Sequence, residues 1–504
     1  MTVEIALNCT PCMGDKHDEC TQSNCRCEND NHGIREKSLK DGVRVDFTKP
    51  VDIDGYIQDV KDANGKINHE PKTFTNHNYD LVADIIQSEN HFLTFRETKE
   101  MWNYDKCEGI YKPLAHTLIE ESCQKMIQKC KRSAVLEVID TIKRNKTMIY
   151  MKDLLESDHI NTQNGILDPI TFMLKPHSPE YLTYTKLPFS VNFNARNLKL
   201  WNHILTIIDV KDINLIMELI WLGISKNNPF KKMFVFKGET NTQKSTLADM
   251  IVWIIGNANV SREKPEQYLS KGSRFSTSKF IGKRMNIASE IGNFDEEMLE
   301  NQKSLVGAEL QNTERKSDNT ERYFDPTKFV FLYTTNKLGK LYSSIDDASV
   351  ITRFQFLIFR NQLADDDTNG QWYDTFFDND DDKKSAIDTI VNIVINYKKA
   401  QSLGNIPKTK WSNIADTKAI LDEEMPIEDK YFKDERITEK EGEQLTITQI
   451  KDDFKSFVGY KVDAQMMGNI MKKHGYVSKK SNGETIYKGL MFNVVADDVL
   501  SNFS

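Results

Sequence analysis

The sequence predicts an α/β fold with a partly parallel sheet, flanked by smaller regions towards both ends. Apolar strand segments and helical segments alternate from Met233 to about Phe359, a pattern typical of β–α–β units. A polar turn ending in Lys-Ser-Thr joins the first of these strands to a helix. Five cysteines and two histidines crowd into the first 33 positions. The chain therefore combines an α/β core with a segment of metal-ligand composition.

Length and composition bound the possibilities. At roughly 150 residues per domain, 504 residues predict about three domains. The 26 Phe, 17 Tyr and 6 Trp exclude disorder along the whole length. The formal net charge is −8, so any nucleic-acid binding must come from local basic patches.

Targeting segments are not evident. Residues 1–5 have neither a basic nor an apolar run, and the longest apolar segment, Ile213–Ile224, contains Asn214 and Glu218 and is short. The clustered cysteines favour a reducing compartment over a disulfide framework. We expect a cytoplasmic protein without a membrane partner.

The cysteine and histidine spacing near the start predicts zinc binding, because zinc takes four thiolate or imidazole ligands. One complete site can be drawn from Cys9, Cys12, His17 and Cys20, and three further ligands are Cys25, Cys27 and His32. So short and charged a segment cannot bury a core and would need the metal to fold. Reduced cysteines in a disordered tail are the alternative.

The strongest motif is the turn from Lys237 to Thr246, which follows an apolar strand and opens an apolar-periodic helix. This context is what a phosphate-binding loop requires, since the helix amides and dipole attract the anion. The predicted nucleotide-binding residues are Gly238, Glu239, Thr240, Asn241, Thr242, Gln243, Lys244, Ser245 and Thr246. Lys244 is expected to reach the β- and γ-phosphates, and the Ser245 hydroxyl to hold Mg²⁺.

Gln243 stands where this kind of loop usually has glycine. A glutamine fits there only if its φ stays negative or if the loop absorbs some strain. The alternative for the segment is a polar strand–helix turn with an incidental Lys-Ser-Thr.

Three residues next to later strands complete the predicted site. Glu290 follows the strand 283–289, and its carboxylate could polarise the attacking water and help to hold Mg²⁺. Asn336 follows the strand 329–335, and its amide could bind the γ-phosphate or the attacking water. Arg353 precedes a further apolar strand and is a candidate arginine finger for a neighbouring subunit, although taken alone it reads as a surface cation.

The last part of the chain predicts a small basic domain. The stretch 365–382 is acidic and reads as a solvated loop, and a helix follows near 385–400. Two helices at 447–458 and 464–474 precede a hairpin with an Asn-Gly turn, an order that suggests a winged helix. Residues 445–495 contain eight lysines and four acidic residues, so Lys479 and Lys480 could meet DNA phosphates. A protein-interaction wing is the alternative.

The order of these motifs resembles that of the superfamily 3 helicases, in the poxvirus, phage and plasmid primase-helicase branch. Residues 305–309 with 312–316 are similar to the family's B′ motif, although Ala308 and Glu309 replace its second glycine and its aspartate. The segments 164–168, 175–180 and 187–189 resemble the domain that precedes the ATPase in that branch, and Phe95–Tyr111 fits its start. The resemblance covers roughly residues 80–360.

The resemblance implies a hexameric AAA+ motor that uses ATP and Mg²⁺ to move 3′→5′ on single-stranded DNA and to open forked DNA. Lys244, Glu290, Asn336 and Arg353 would be the catalytic residues, and Arg315 and Lys316 would lie on a loop in the central channel, where they contact phosphates. A solvated charged loop is the alternative for that pair. An ATP-dependent initiator or switch without processive unwinding is the alternative function.

The predicted organisation has six parts. They are a Cys/His-rich zinc segment (1–33), a linker (34–78), an α+β helicase-associated domain (79–200), an AAA+ phosphate-loop ATPase core (201–362), an acidic linker with helices (363–440) and a winged-helix DNA-binding domain (441–504). About 80 residues before the helicase-associated region are too few for an archaeo-eukaryotic primase domain. We therefore expect a separate primase as a partner, and the cytoplasm of a host cell as the location for a virus or plasmid protein.

Overall fold

The computed structural model describes most of the chain beyond residue 56. The described ranges are 57–61, 67–71, 75, 77–145, 147–155, 158–270, 276–289, 296–307, 311–315, 318–338, 341, 347–362, 376–481 and 483–493. The chain divides into two compact units, residues 1–49 and 50–504, and every described residue lies in the second. The predicted zinc ligands, Cys9 to His32, lie outside the described residues.

The first elements form three small sheets and a helical layer. They are β1 (Ile57–Lys61), β2 (Ile67–Pro71), α1 (Tyr79–Glu89), β3 (Phe92–Phe95), β4 (Met101–Asp105), β5 (Ile110–Lys112), α2 (Ala115–Met126), α3 (Arg132–Arg144), β6 (Met148–Ile149), α4 (Met151–Leu155), β7 (Ile160–Thr162), β8 (Gly165–Leu167) and β9 (Leu174–Lys175). The sheet orders are β1-β2, β5-β4-β3-β6 and β7-β8-β9. Val82, Ile119 and Val138 are fully buried where α1, α2 and α3 pack together.

Two expectations for this region need correction. The predicted linker 34–78 contains the antiparallel hairpin β1–β2. Its sequence signal is the Asn64-Gly65 pair, which is typical of a tight turn. The sequence from His116 to Arg144 reads as one long helical run, whereas the structure has two helices, because the chain turns at 127–131 so that both α2 and α3 can bury apolar faces against α1.

The centre of the molecule is a five-stranded parallel sheet with helices on both faces. Its elements are α5 (Lys199–Ile207), α6 (Ile213–Ser225), β10 (Met233–Gly238), α7 (Lys244–Ile255), β11 (Val260–Ser261), α8 (Pro265–Leu269), β12 (Met285–Ser289), α9 (Glu296–Gly307), β13 (Gln311–Arg315), β14 (Asp318–Phe324), β15 (Val330–Thr335), α10 (Ala348–Ile351), β16 (Phe354–Phe359) and α11 (Asp380–Ser402). The strand order is β11-β12-β15-β10-β16, and all four pairings are parallel. The predicted parallel α/β core is thereby confirmed.

Alternation along β10 shows why both faces of this sheet are covered. Phe234 and Phe236 pack in the cluster formed with α5, α6, α7 and α11, whereas Met233 and Val235 pack in the cluster on the opposite face. Successive side chains of a strand point to opposite faces, so an uninterrupted apolar run requires a layer on each side. All four side chains are buried.

The helix α11 belongs to this core, which corrects the predicted acidic linker at 363–440. Lys398 Nζ on α11 pairs with the buried Glu218 on α6 at 2.9 Å. Asp388 Oδ1 on α11 accepts a bond from the Ser190 amide at 3.0 Å. The boundaries predicted at 200 and at 362 therefore do not separate independent packing units.

The last elements form a small domain around a three-stranded sheet. They are α13 (Ile427–Lys433), β17 (Ile437–Thr446), α14 (Ile447–Val458), α15 (Ala464–Lys473), β18 (Lys479–Ser481) and β19 (Glu484–Phe492), with the sheet order β17-β19-β18. The preceding helix, α12 (Ile414–Glu423), packs on the central sheet instead, where Leu421 is buried in the same cluster as Met233 and Val235. The boundary predicted at 441 is too late. Tyr431 on α13 is fully buried among Phe454 and other side chains of this domain, and its hydroxyl donates to Asp453 Oδ2 at 2.7 Å.

Among the described helices, none combines the length and the apolar character needed to cross a bilayer.

Candidate functional site

The predicted phosphate-binding loop connects the carboxyl end of β10 to α7. Gly238 ends β10 against β16, and a side chain there would place its Cβ 2.4 Å from the Phe359 carbonyl oxygen. Only glycine allows the two strands to approach in this way. α7 follows because Leu247, Ile251 and Ile254 recur at helical spacing and are buried. The sequence thus correctly predicts a strand–loop–helix unit here.

The loop itself contains two non-glycine residues in the left-handed region. Gln243 has φ +62° and Asn241 has φ +65°. Of the two possibilities that the sequence left for Gln243, the structure has the strained one rather than a negative φ. The Gln243 side chain is hydrogen-bonded to His203 on α5, where burial lowers the pKa of the imidazole and this bond opposes the shift.

Lys244 is buried at the start of α7 and folds back over the loop. Its Nζ donates to the Glu239 carbonyl oxygen at 2.6 Å and contacts Thr242 Oγ1 at 3.1 Å. Thr242 Oγ1 in turn donates to the Glu239 carbonyl at 2.8 Å. The amine therefore lies directly over the loop in which a phosphate would sit.

The first turn of α7 fits an anion. Its N-cap residue, Gln243, makes no side-chain capping bond to the first amides of this twelve-residue helix, and such amides together with the helix dipole attract anions. Ser245 is exposed at the second helical position, and Thr246 is half-buried. An exposed hydroxyl beside a phosphate loop suits a Mg²⁺ ligand, since this ion takes oxygen donors.

Two side chains from outside the loop contact Thr240. Asn336 Nδ2 lies 3.2 Å from Thr240 Oγ1, and Gln362 Nε2 donates to the Thr240 carbonyl at 3.1 Å. Asn336 reaches the loop because it follows β15, the strand directly beside β10. The structure therefore brings Asn336 to the predicted site. The sequence does not predict Gln362 as a site residue, because no recognisable motif marks the residues that follow β16.

A further unpredicted contact joins the end of β10 to α12. Lys237 Nζ pairs with Glu424 Oε1 at 2.8 Å, and both side chains are partly buried. Glu424 caps the end of α12. No sequence pattern relates these residues, which lie 187 positions apart.

Glu290 lies outside the described residues. β12 ends at Ser289, which pairs with Thr334 of β15. The strand that precedes Glu290 thus ends at the same edge of the sheet as the loop after β10.

Arg353 lies at the opposite edge of the sheet from the loop. It precedes β16, and its carbonyl accepts a bond from the amide of Met233, the first residue of β10. A six-residue strand spans about 20 Å, so Arg353 cannot reach the loop of its own chain. Its Nε donates to the Ser349 carbonyl at 3.2 Å, and its guanidinium packs against Gly307 at the end of α9.

The predicted DNA contacts fall on two hairpins. Arg315 is the last residue of β13 and pairs with Asp318 of β14, while Lys316 lies outside the described residues. Lys479 and Lys480 are exposed on β18, an edge strand of the small sheet.

No metal centre emerges from the part of the chain that the structure describes, where no group of three or more His, Cys, Asp or Glu side chains could hold an ion. Three cysteines lie in that part, Cys107, Cys123 and Cys130, and all are free thiols. Burial raises the pKa of the Cys123 thiol to about 12.

Comparison with protein families gives two matches that follow one another along the chain. Residues 61–209 match a family described as D5 N terminal like. Residues 236–353 match a family of unknown function, DUF5906. The second match spans the predicted loop, Asn336 and Arg353. A comparison with curated proteins found no match.

Among solved structures, the chain is similar to crystal forms described as the apo structure of the NrS-1 C-terminal region. For the form spanning residues 305–718 of that protein, the identity is 11%, the TM-score is 0.41, and 82% of this chain and 100% of that chain are covered. A second form gives 12% identity and a TM-score of 0.37, with 81% and 98% covered.

Proposed function

We propose that the chain is an ATP-dependent replicative DNA helicase of a virus or mobile element. The observation that carries this proposal is the convergence of Gly238, Lys244 and Asn336 at the carboxyl edge of one parallel sheet. Open α/β sheets bind their ligands outside the carboxyl ends of the strands. The match of residues 61–209 to the D5 N terminal like family supports a replication protein of the primase-helicase type.

In this proposal the loop 238–246 holds the phosphates of ATP. The amides at the start of α7 face the anion, and Lys244 exchanges the Glu239 carbonyl for a phosphate oxygen, a stronger charge-assisted acceptor. Ser245 and Glu290 are the proposed Mg²⁺ ligands, and the ion would neutralise charge on the β- and γ-phosphate oxygens. Asn336 orients the γ-phosphate or the attacking water.

Arg353 is proposed to act on the nucleotide of a neighbouring subunit. Its position at the amino edge of the sheet prevents it from reaching the loop of its own chain, which supports a ring in which each amino edge faces the next carboxyl edge. A hexamer is the ring size that the sequence resemblance implies. Such a finger stabilises the transition-state charge and is worth roughly 10³–10⁵ in rate.

Two hairpins are the proposed DNA contacts. The β13–β14 hairpin places Arg315 beside its tip, next to Lys316 in the sequence. The order α13-β17-α14-α15-β18-β19 supports a winged helix, with α15 as the groove helix and β18 in the wing. Exposed lysines on a wing bind phosphates without reading sequence. Two further proposals rest on the sequence alone: zinc binding by residues 9–32, and a separate primase as a partner.

The test is ATP hydrolysis with and without single-stranded DNA, together with displacement of a labelled strand from a fork. We expect DNA-stimulated hydrolysis and unwinding by the full chain, and the loss of both in Lys244→Ala. Lys408→Ala, which removes an exposed lysine far along the chain from the loop, should leave both unchanged. Failure of the wild-type chain to retain ATP with Mg²⁺ would reject the motor.

A second candidate is an ATP-dependent initiator or switch that binds DNA without processive unwinding. The left-handed backbone at Gln243 favours it, because a strained loop can bind nucleotide and yet turn it over slowly. This candidate predicts nucleotide-dependent DNA binding without strand displacement, and faster ATP turnover in Gln243→Gly. Efficient unwinding by the wild-type chain would reject it.

A further inference from the structure

A small pocket that opens to solvent lies at the amino edge of the central sheet. Arg284 and Lys226 line it from the sheet side, where Arg284 precedes β12 and Lys226 ends α6. The segment 182–185 and His159 line it from the other side. The predicted nucleotide loop is at the opposite edge of the sheet, so the pocket is a separate feature.

Arg284 is buried in this pocket with neutral acceptors. It is only 2% exposed. Its Nη1 donates to the Ile224 carbonyl at 2.6 Å, and its Nη2 donates to Thr185 Oγ1 at 3.1 Å. Its Nε is also buried, and it has no hydrogen-bond partner among the described residues. A guanidinium in such surroundings lacks the anion that normally accompanies a buried charge.

Lys226 brings a second cation to the same pocket. Its Nζ donates to the Tyr184 hydroxyl at 2.7 Å and lies 4.5 Å from the centre of that ring. Among the described residues, neither Lys226 nor Arg284 forms an ion pair with a carboxylate; Asp158 pairs instead with Lys328 at 3.0 Å. Burial, together with the Arg284 and Lys328 charges, lowers the pKa of Lys226 to about 7, against the opposing effects of Asp325 and Asp158.

We propose that this pocket binds a tetrahedral oxyanion, the chemistry shared by a nucleic-acid backbone phosphate and a free phosphate or sulfate ion. Arg284 and Lys226 supply the charge, and the Tyr184 hydroxyl supplies a further donor. The guanidinium Nε and the buried His159 Nδ1 are polar atoms without partners at this site. A bound anion would offset the cost of burying two cations together. It would also link the segment 159–185 to the sheet.

The test uses sulfate, because its charge is constant over the working pH range. The full chain carries Lys244→Ala, so that the predicted nucleotide loop does not contribute, and its thermal unfolding midpoint is followed against sulfate at constant ionic strength. We expect a saturable rise. Lys226→Met should weaken the apparent affinity on the order of tenfold or more, since it removes a charge-assisted donor.

Lys283→Met is the matched control. It removes the same charge one residue from Arg284, but its amine donates to the Ala258 carbonyl outside the pocket. It should respond to sulfate like the parent chain. Tyr184→Phe removes one hydroxyl and keeps the ring, and it should weaken sulfate binding partially. This variant tests the proposal even if Lys226→Met does not fold. A response that is absent from the parent, or equal in all variants, overturns the proposal.

Two further measurements define the ligand. The affinity for sulfate should fall about tenfold per pH unit above about pH 7, because Lys226 loses its proton there. Over this range Arg284 stays charged and Tyr184 stays neutral, and His159, whose pKa is lowered by burial, is already neutral. An abasic oligodeoxyribose phosphate that displaces sulfate from the parent chain identifies a backbone phosphate as the ligand. Failure of that oligomer to compete identifies a free ion instead. Neither result depends on ATP hydrolysis.

Discussion

At the scale of single residues, Gly238 and Gln243 shape the same loop for opposite reasons. Gly238 is required because a side chain would meet the Phe359 carbonyl at the close approach of two strands. Gln243 adopts a left-handed backbone that a glycine would adopt without strain. The sequence predicts the loop and identifies Gln243 as its unusual residue. The sequence could not decide the sign of φ at Gln243, because that angle depends on the path of the loop between β10 and α7 in the folded chain.

The strain at Gln243 predicts a difference between two substitutions. Gln243→Ala loses the bond to His203 and keeps the left-handed cost, whereas Gln243→Gly loses the bond and relieves that cost. We expect the free energy of unfolding of Gln243→Gly to exceed that of Gln243→Ala by about 1 kcal/mol, measured by urea denaturation. Equal stability of the two variants would contradict a strained loop.

Substitution by alanine at two glycines should change the stability of the protein in opposite directions. Gly238→Ala forces backbone atoms apart and should cost about 1–3 kcal/mol and abolish ATP binding. Gly468→Ala on α15 meets only Ile447 Cδ1, at 3.9 Å, and should stabilise by about 0.5–1 kcal/mol through helix propensity. Denaturation of both variants checks the pair, and a stability loss in Gly468→Ala would be inconsistent with the packing described.

At the scale of elements, periodicity predicts most of what is observed. The strands β10, β15 and β16 and the helices α14 and α15 follow apolar patterns that are visible along the chain, and the Thr446 and Asp463 caps fix where those two helices begin. The hairpin β1–β2 was missed despite its Asn-Gly pair. The position of α13 could not be predicted, because Tyr431 joins the last domain only through contacts with distant residues.

The exposed lysines of β18 carry a prediction on DNA binding. The double substitution Lys479→Ala/Lys480→Ala should weaken binding evenly across sequences and reduce the salt dependence of log K by about 2, as expected for two lost phosphate contacts. Fluorescence anisotropy at several salt concentrations measures both quantities. The control Lys408→Ala/Lys410→Ala removes two lysines outside this domain and should change neither. An unchanged salt slope in the β18 variant would favour a protein-interaction wing.

At the scale of the whole molecule, the parallel sheet sorts the site residues to two edges. The loop, Asn336 and Gln362 lie at the carboxyl edge, whereas Arg353 and the Arg284 pocket lie at the amino edge. A single subunit therefore cannot contain the complete catalytic set that the sequence predicts. In the proposed motor, the active site is therefore formed by two subunits.

This division predicts complementation between inactive variants. Lys244→Ala and Arg353→Ala should each lose ATP hydrolysis on their own. A mixture should regain part of the activity, because an intact loop of the Arg353→Ala subunit can face an intact Arg353 of the Lys244→Ala subunit. Steady-state hydrolysis at varied mixing ratios measures the effect. A linear average of two inactive proteins at every ratio would show that Arg353 does not act in trans.

The sequence by itself determined the parallel α/β core, the loop from β10 to α7 and the order of strands along the chain, because these depend on local periodicity and on turn chemistry. Only the tertiary structure decided which residues meet. The bonds from Asn336 and Gln362 to Thr240, the pair Lys237–Glu424 and the buried cations Lys226 and Arg284 all join segments far apart in sequence. Such contacts depend on strand order and sheet packing, and no local pattern of residues encodes them.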